Sequence, residues 1–160
     1  MFDSARLKVE RAEKHVGDLK IIFDRFIETH PHTLCIDDDP RTGAKTVQVR
    51  FSESPPTSLS LVLGDAIHNL RSALDHATWE LIRIDRGTQD RKTMFPFSSD
   101  RWEYESACQR IKTPLDDTKK FLIALAAYPG GAGEKLYDLN RFDNADKHSV
   151  ITPVIGVPEF

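Results

Sequence analysis

Residues 57–86 constrain the fold more than any other part of the chain. Their apolar side chains recur at alternating steps of four and three, with only Glu80 breaking the series, which places them on one face of a helix. This series consists of Leu59, Leu63, Ala66, Leu70, Ala73, Ala77 and Ile84. Pro55 and Pro56 prevent the helix from starting earlier, and Gly87 can end it. We therefore predict one long helix with a buried apolar face.

Residues 3–29 repeat this spacing over about three heptads and predict a first long helix. Its apolar series consists of Phe2, Ala5, Val9, Ala12, Val16, Leu19, Phe23 and Phe26. His15 lies off this series, so we expect its side chain to be solvated. Because the two helices have similar lengths, we expect them to pack antiparallel as the centre of a helical bundle.

The segment between the long helices predicts a small β-hairpin. Residues 33–36 and 46–51 have the composition of short strands, and Val47, Val49 and Phe51 alternate with polar residues. A turn-rich segment, 37–45, joins the strands. The fold class is therefore mainly α (α+β), a single helical-bundle domain over residues 1–160 with a hairpin insertion at 33–51.

The second half of the chain predicts three shorter helices. One runs from Ser99 or Asp100 to Lys112, one from Thr113 to Pro129, and one covers residues 134–147. The expected core positions of the first two are Trp102, Ala107, Ile111, Phe121, Leu122, Leu125 and Ala126. Residues 149–160 are apolar and β-branched, and we interpret them as an extended segment that opens a β region.

Composition excludes several classes of protein. The chain has 22 basic and 25 acidic residues, which argues against a strongly basic nucleic-acid scaffold but leaves a local basic groove open. We expect no membrane partner, because no run of 18 apolar residues exists. The two cysteines are far apart and have neither metal-site nor disulfide-framework spacing. We predict a cytoplasmic protein that needs no cofactor.

The polar faces of the second long helix carry side chains suited to hydrogen bonding and proton transfer. They form two rows: Asp65, Asn69, Ser72 and His76, and, farther round the helix, His68, Arg71, Asp75 and Trp79. Solvated helix faces more often carry Lys and Glu. One interpretation is a polar interhelical network that includes an Arg71–Asp75 pair; the other is a functional groove.

The last predicted helix supplies a matching polar surface. Leu136, Leu139 and Phe142 begin an apolar series, but the series continues as polar residues. We expect this polar end to meet the polar rows of the second long helix. The candidate residues here are Asn144, Asp146, Lys147 and His148, with Asp143 beside them.

Two sequence blocks resemble a family of uncharacterised bacterial and phage proteins. They are GDAIHNLRSALDHATWEL at residues 64–81 and LNRFDNADKH at residues 139–148. The family pattern is GD, a hydrophobic residue, xHNLRxALDH, and then LNxxDKHR farther along the chain. Ser149 stands where that pattern has a basic residue. The resemblance covers most of the chain from the second long helix to His148, and it implies no particular activity.

Arg71 and His76 also resemble the Arg-x(4–6)-His motif of HEPN-domain proteins. That resemblance implies a dimeric helical bundle with metal-independent endoribonuclease activity or an inactive relative that binds RNA. His76 would handle the proton of a ribose 2′-hydroxyl group, and Arg71 would stabilise charge on the phosphorane. The motif usually has Asn, Asp or His after the arginine, where this chain has Ser72.

The Arg–His spacing alone carries no weight, because Arg25 and Arg141 also precede a histidine at such a distance. A five-residue separation also places Arg71 and His76 about 140° apart on a straight helix. Two alternatives therefore stay open. One is a non-enzymatic interaction or structural protein with a buried polar network. The other is a metal or small-ligand site between helices, with the ligand set Asp65, His68, His76, Asp146 and His148.

Overall fold

The computed structural model describes residues 1–38 and 40–148, and this part of the chain is mainly helical. Its elements are α1 (Asp3–Glu28), β1 (His32–Asp38), β2 (Lys45–Phe51), α2 (Thr57–Ile84), α3 (Arg101–Gln109), α4 (Asp116–Leu125) and α5 (Glu134–Asp146). The prediction of a mainly helical chain with a small hairpin between two long helices is confirmed. The extended segment predicted at 149–160 lies outside the described residues.

The two long helices are joined by the hairpin and pack against each other. At one end, Phe26 of α1 stacks on Phe51, shortly before α2 begins, with 6.2 Å between the ring centroids. Farther along, the Lys8 ammonium group lies 3.4 Å from the amide oxygen of Asn69. The C-terminal end of α1 therefore lies near the N-terminal end of α2, and the helices run in opposite directions.

Small residues fill much of the contact between α1 and α2. Ala5 and Ala12 are buried on α1, and Ala66 and Ala73 are buried on α2. Alanine has no side-chain entropy to lose and allows helix backbones to approach closely.

The buried face of α1 differs from the one predicted. His15 is buried, so its predicted solvation is wrong, and three members of the predicted apolar series are exposed: Val9, Val16 and Phe23. The physical reason is the phase of the helix: the buried line runs through Ala12, His15 and Phe26, and Val16 lies toward one edge of it.

The hairpin is antiparallel, with His32 opposite Phe51 and Ile36 opposite Val47. Phe51 attaches it to α1 through the ring contact with Phe26. Leu34, Ile36 and Val47 leave 61–70% of their surfaces exposed. Within the described residues, no helix is both long enough and apolar enough to cross a membrane.

A second core lies between α3, α4 and the irregular segment 93–97. Its buried members are Phe95, Tyr104, Cys108, Leu122 and Ala127. Two predicted core residues are wrong, since Trp102 is 77% exposed and Phe121 is 56% exposed. On so short a helix as α3, a single i,i+4 pair fills the interface, and the pair that faces α4 is Tyr104 with Cys108.

The starts of the short helices follow different rules. Asp100 caps α3 by accepting a hydrogen bond from the Glu103 backbone N–H at 2.9 Å. The sequence predicts that the next helix starts at Thr113, but α4 begins at Asp116. The Thr113 hydroxyl instead donates to the buried Asp85 carboxylate at 2.6 Å. The hydroxyl group that the local sequence predicts as a helix cap is therefore used in a tertiary hydrogen bond.

The Tyr104 hydroxyl is the polar group on which this second core depends. Tyr104 is fully buried, and its O–H donates to the Leu122 carbonyl at 2.5 Å. Burial raises the pKa of Tyr104, so the phenol stays protonated and keeps donating. We expect Tyr104→Phe to lower the free energy of unfolding by about 1–3 kcal/mol, because the Leu122 carbonyl loses its donor.

Urea unfolding checks this expectation. Tyr137→Phe is the control, because this substitution removes the same hydroxyl group from a half-buried tyrosine on a different helix. Equal stability of the Tyr104→Phe variant and the wild type would show that the hydrogen bond makes no net contribution.

Candidate functional site

Helix α5 packs on α2 through polar contacts. Asn140 of α5 accepts a hydrogen bond from Arg71 Nε at 2.8 Å, and Asp143 lies 2.9 Å from His68 Nδ1. One turn farther on, Asp146 lies against Gly64. The partners run in opposite directions along the two helices. We call this set the α2–α5 polar interface: Gly64, His68, Arg71, Asn140, Asp143 and Asp146.

Asp143 is the buried anion of this interface. Its side chain is only 3% exposed, while its partners His68 and Lys147 are both more than half exposed. The Lys147 ammonium lies 2.6 Å from the second carboxylate oxygen. Burial by itself raises the pKa of Asp143, but the hydrogen bonds from Lys147 and His68 outweigh it, and the pKa is below its usual value. The carboxylate is therefore ionised at neutral pH.

Arg71 connects α2 to two other parts of the chain. Its Nη1 lies 2.6 Å from the Asp75 carboxylate, although the angle does not suit a hydrogen bond. Asp75 in turn accepts a hydrogen bond from the Phe95 backbone N–H at 2.9 Å. The guanidinium group also lies 4.5 Å from the centre of the Phe97 ring. Together with Asn140, these contacts leave the Arg71 side chain 12% exposed.

Gly64 leaves room on α2 for the Asp146 carboxylate of α5. A Cβ atom at this position would lie 2.7 Å from Cγ of Asp146, nearer than unbonded carbon atoms approach. Glycine normally weakens the interior of a helix by about 1 kcal/mol relative to alanine. The close contact with α5 is the physical reason for a glycine here.

The structure does not bring Arg71 and His76 together. Arg71 points into the polar interface, whereas His76 is exposed on α2, about 140° farther round the helix. Asp65 is also exposed, and Asn69 donates to the Asp65 carbonyl at 2.8 Å. The remaining candidates on or after α5 that are exposed are Asn144, Lys147 and His148.

Sequence reasoning did not select Asn140, Asp143, Gly64 or Phe97 as site residues. Asn140, Asp143 and Asp146 recur every three residues, and Gly64, His68 and Arg71 recur every three to four. Aligning these two sets of residues in antiparallel order would have predicted which residue of α2 contacts which residue of α5. The Phe97 contact had no such signal, because the segment 93–97 has no regular periodicity.

The described residues contain no group of three or more His, Cys, Asp or Glu side chains placed to bind a metal ion. The alternative ligand set of Asp65, His68, His76, Asp146 and His148 is not gathered into one site there. His68 and Asp146 contact the same interface, while His76 and Asp65 are exposed on another face of α2.

The chemistry available to this site is proton transfer at His68. Asp143 orients the ring through Nδ1, and Nε2 lies 3.5 Å from the Ser72 hydroxyl. This order resembles the carboxylate–imidazole–hydroxyl series of hydrolases. However, Ser72 lies in the middle of α2, where helical hydrogen bonds already use the neighbouring backbone N–H groups. The backbone there cannot supply donors to an oxyanion.

Comparisons of the chain with protein-family models, with curated proteins and with solved structures gave no match.

The ionised state of Asp143 makes docking of α5 sensitive to acid. Because the folded pKa is below the unfolded one, the carboxylate contributes stability above the unfolded pKa of about 3.9. That contribution is lost as the pH falls through the folded pKa. We expect Asp143→Asn to cost about 1–3 kcal/mol at pH 7 and progressively less below about pH 4.

Thermal unfolding of wild type and Asp143→Asn between neutral and acidic pH measures this difference. Asp138→Asn is the matched control, since Asp138 forms an exposed ion pair with Arg141 on the same helix. A difference between wild type and Asp143→Asn that stays constant with pH would contradict the assigned role of the carboxylate.

The contact of Gly64 with Asp146 predicts coupling between two substitutions. We expect Gly64→Ala to stabilise an Asp146→Ala protein by about 1 kcal/mol through helix propensity. In the wild type, Gly64→Ala should stabilise the protein less than this, or should destabilise it, because the new methyl group displaces the Asp146 carboxylate. A double-mutant cycle by urea unfolding measures this coupling. Additive effects would show that the close approach has no energetic consequence.

Proposed function

We propose that the protein is a non-enzymatic interaction protein, a helical bundle in which the α2–α5 polar interface fixes the position of α5. The observation that carries this proposal is the state of Arg71. Its side chain is 12% exposed and is occupied by Asp75, Asn140 and the Phe97 ring. A guanidinium group with these partners is committed to internal contacts and is not free to stabilise charge on a substrate.

The polar interface favours one register of α5 over others. Hydrogen bonds to charged groups contribute roughly 1.5–3 kcal/mol each, and a buried charge without partners is costly. A shift of α5 by two residues would separate Asp143 from His68 and Asn140 from Arg71, because two residues span roughly 200° of a helix. Leu136 and Leu139 are only half-buried and would tolerate such a shift better. We propose that the polar pairs specify this arrangement, as buried networks do in other helical proteins.

The proposal includes a location and an assembly state. Cys35 and Cys108 are free thiols, as is usual in the reducing cytoplasm, where we place the protein. We propose a homodimer, for which the exposed apolar side chains Val16 on α1 and Leu34 and Ile36 on the hairpin provide contact area.

The second candidate is a HEPN-like, metal-independent endoribonuclease or an RNA-binding relative. The observation that favours it is the exposure of His76, which leaves the imidazole accessible to RNA or to a second copy of the chain. In this candidate Arg71 must exchange its internal partners for a phosphate. Loss of the Asp75 and Asn140 contacts opposes that exchange.

RNA cleavage in EDTA separates the two candidates. We expect no cleavage of single-stranded RNA by the wild type. Arg71→Ala should lower the free energy of unfolding by about 3 kcal/mol, since it leaves the Asp75 carboxylate without its cation. His76→Ala should change it by less than about 0.5 kcal/mol, because His76 is exposed.

Circular dichroism establishes that each variant is folded before cleavage is compared. Asn144→Ala is the control for a substitution at an exposed candidate position on α5. Cleavage by the wild type that a folded His76→Ala protein has lost would replace the interaction proposal with the ribonuclease candidate.

A further inference from the structure

A cavity of about 640 Å³ lies beside the α2–α5 polar interface, between segment 93–97, the end of α2 and α3. Small-molecule sites in proteins have volumes of about 300–1,000 Å³. We call this cavity the basic cavity, because Lys92, Arg110 and Lys112 line it and Asp90 is the acidic side chain among its lining residues.

The inner wall of the basic cavity is apolar. Ile82 is 1% exposed and Phe95 is 6% exposed, and both line it. Ile111 continues this wall, and Met94, which is 53% exposed, lies where the wall reaches solvent. Because Ile82 and Phe95 expose almost no surface, an apolar group that enters the cavity would remove from water mainly the exposed surface of Met94 and the half-exposed surface of Ile111, which contributes about 25 cal/mol per Å².

The charges around the cavity do not cancel. Lys112 lies 2.8 Å from the Asp90 carboxylate, and this hydrogen bond lowers the pKa of Asp90, so the two form a neutral pair. Arg110 donates to the Ser106 hydroxyl at 2.7 Å, which leaves its charge uncompensated. Within residues 1–38 and 40–148, neither Arg110 nor Lys92 forms an ion pair with a carboxylate.

We infer that the basic cavity binds a small amphipathic anion. Its carboxylate, sulfonate or phosphate head would lie between Lys92 and Arg110, and its apolar body would pack on Met94 and Ile111. Guanidinium and ammonium groups are the usual partners of such heads. A neutral ligand of the same shape would leave both cations unmatched, and a cation would be repelled by them.

Arg71 of the polar interface and its ion-pair partner Asp75 hold one wall of this cavity in place. The Phe95 backbone N–H donates to Asp75, and the Phe97 ring lies under the Arg71 guanidinium group. Both phenylalanines line the cavity. The wall is therefore fixed before a ligand arrives, which lowers the ordering cost of binding. This inference goes beyond the proposed interaction role, because it assigns the chain a ligand and a separate site.

Calorimetric titration of the full chain with 4-phenylbutyrate tests the inference. The neutral 4-phenylbutanamide has the same apolar body without the charge and serves as the ligand control. We expect the anion to bind at least about tenfold more tightly than the amide, since a hydrogen bond to a charged group contributes enough for that ratio. Absence of binding by the anion, or equal binding of both compounds, would overturn the inference.

Two substitutions locate the site. Arg110→Glu should weaken binding of the anion at least about tenfold, because it replaces an attractive charge with a repulsive one. Lys14→Glu makes the same change of charge at an exposed position on α1 and should leave binding unchanged. Equal weakening by both variants would show a non-specific effect of net charge and would overturn the site.

A third variant tests the apolar part of the cavity. Ala107 lines it from α3 and is only half-buried, so a larger side chain can extend into the empty volume. We expect Ala107→Leu to remain folded by circular dichroism and to bind 4-phenylbutyrate at least about tenfold more weakly, because the methyl groups occupy the space of the phenyl ring. A folded Ala107→Leu protein with wild-type affinity would overturn the proposed position of the ligand.

Discussion

The buried carboxylate of Asp143 is the interaction on which the packing of α5 depends. Asp143 is the buried residue of α5, and two half-exposed side chains, the His68 imidazole and the Lys147 ammonium group, satisfy it. Burial alone would favour the protonated acid, but the two hydrogen bonds reverse that preference. An ionised aspartate therefore occupies the buried position that an apolar residue such as leucine occupies in most helix interfaces. Its contribution to stability, unlike that of a leucine, depends on partners at fixed positions and on pH.

Arg71 extends the same network beyond α5. Through Asp75 it reaches the backbone of Phe95, and its guanidinium group lies over the Phe97 ring. The irregular segment 93–97 thus has its position set by α2, although no regular hydrogen-bond ladder includes it. Because that segment also forms a wall of the basic cavity, one arginine connects the packing of α5 to the shape of a separate binding site.

The sequence predicted the helices better than their phases. Apolar spacing located both long helices, and α2 ends at Ile84, two residues before its predicted end. The same spacing failed for His15, Trp102 and Phe121, because burial depends on which side a neighbouring helix occupies. On α3 the choice between Trp102 and Tyr104 was made by α4, whose Leu122 carbonyl accepts the tyrosine hydroxyl.

For the candidate site too, the sequence located the helices and their polar residues but not the contacts between them. The sequence alone determined that α2 carries two rows of polar side chains and that α5 loses its apolar series toward its end, because helical periodicity is a local property. Only the tertiary structure decided the partners. It placed Arg71 inside, against Asn140 and Phe97, and left His76 exposed. The basic cavity also required the fold, since its cations and its apolar wall come from segments that approach one another only after the helices pack.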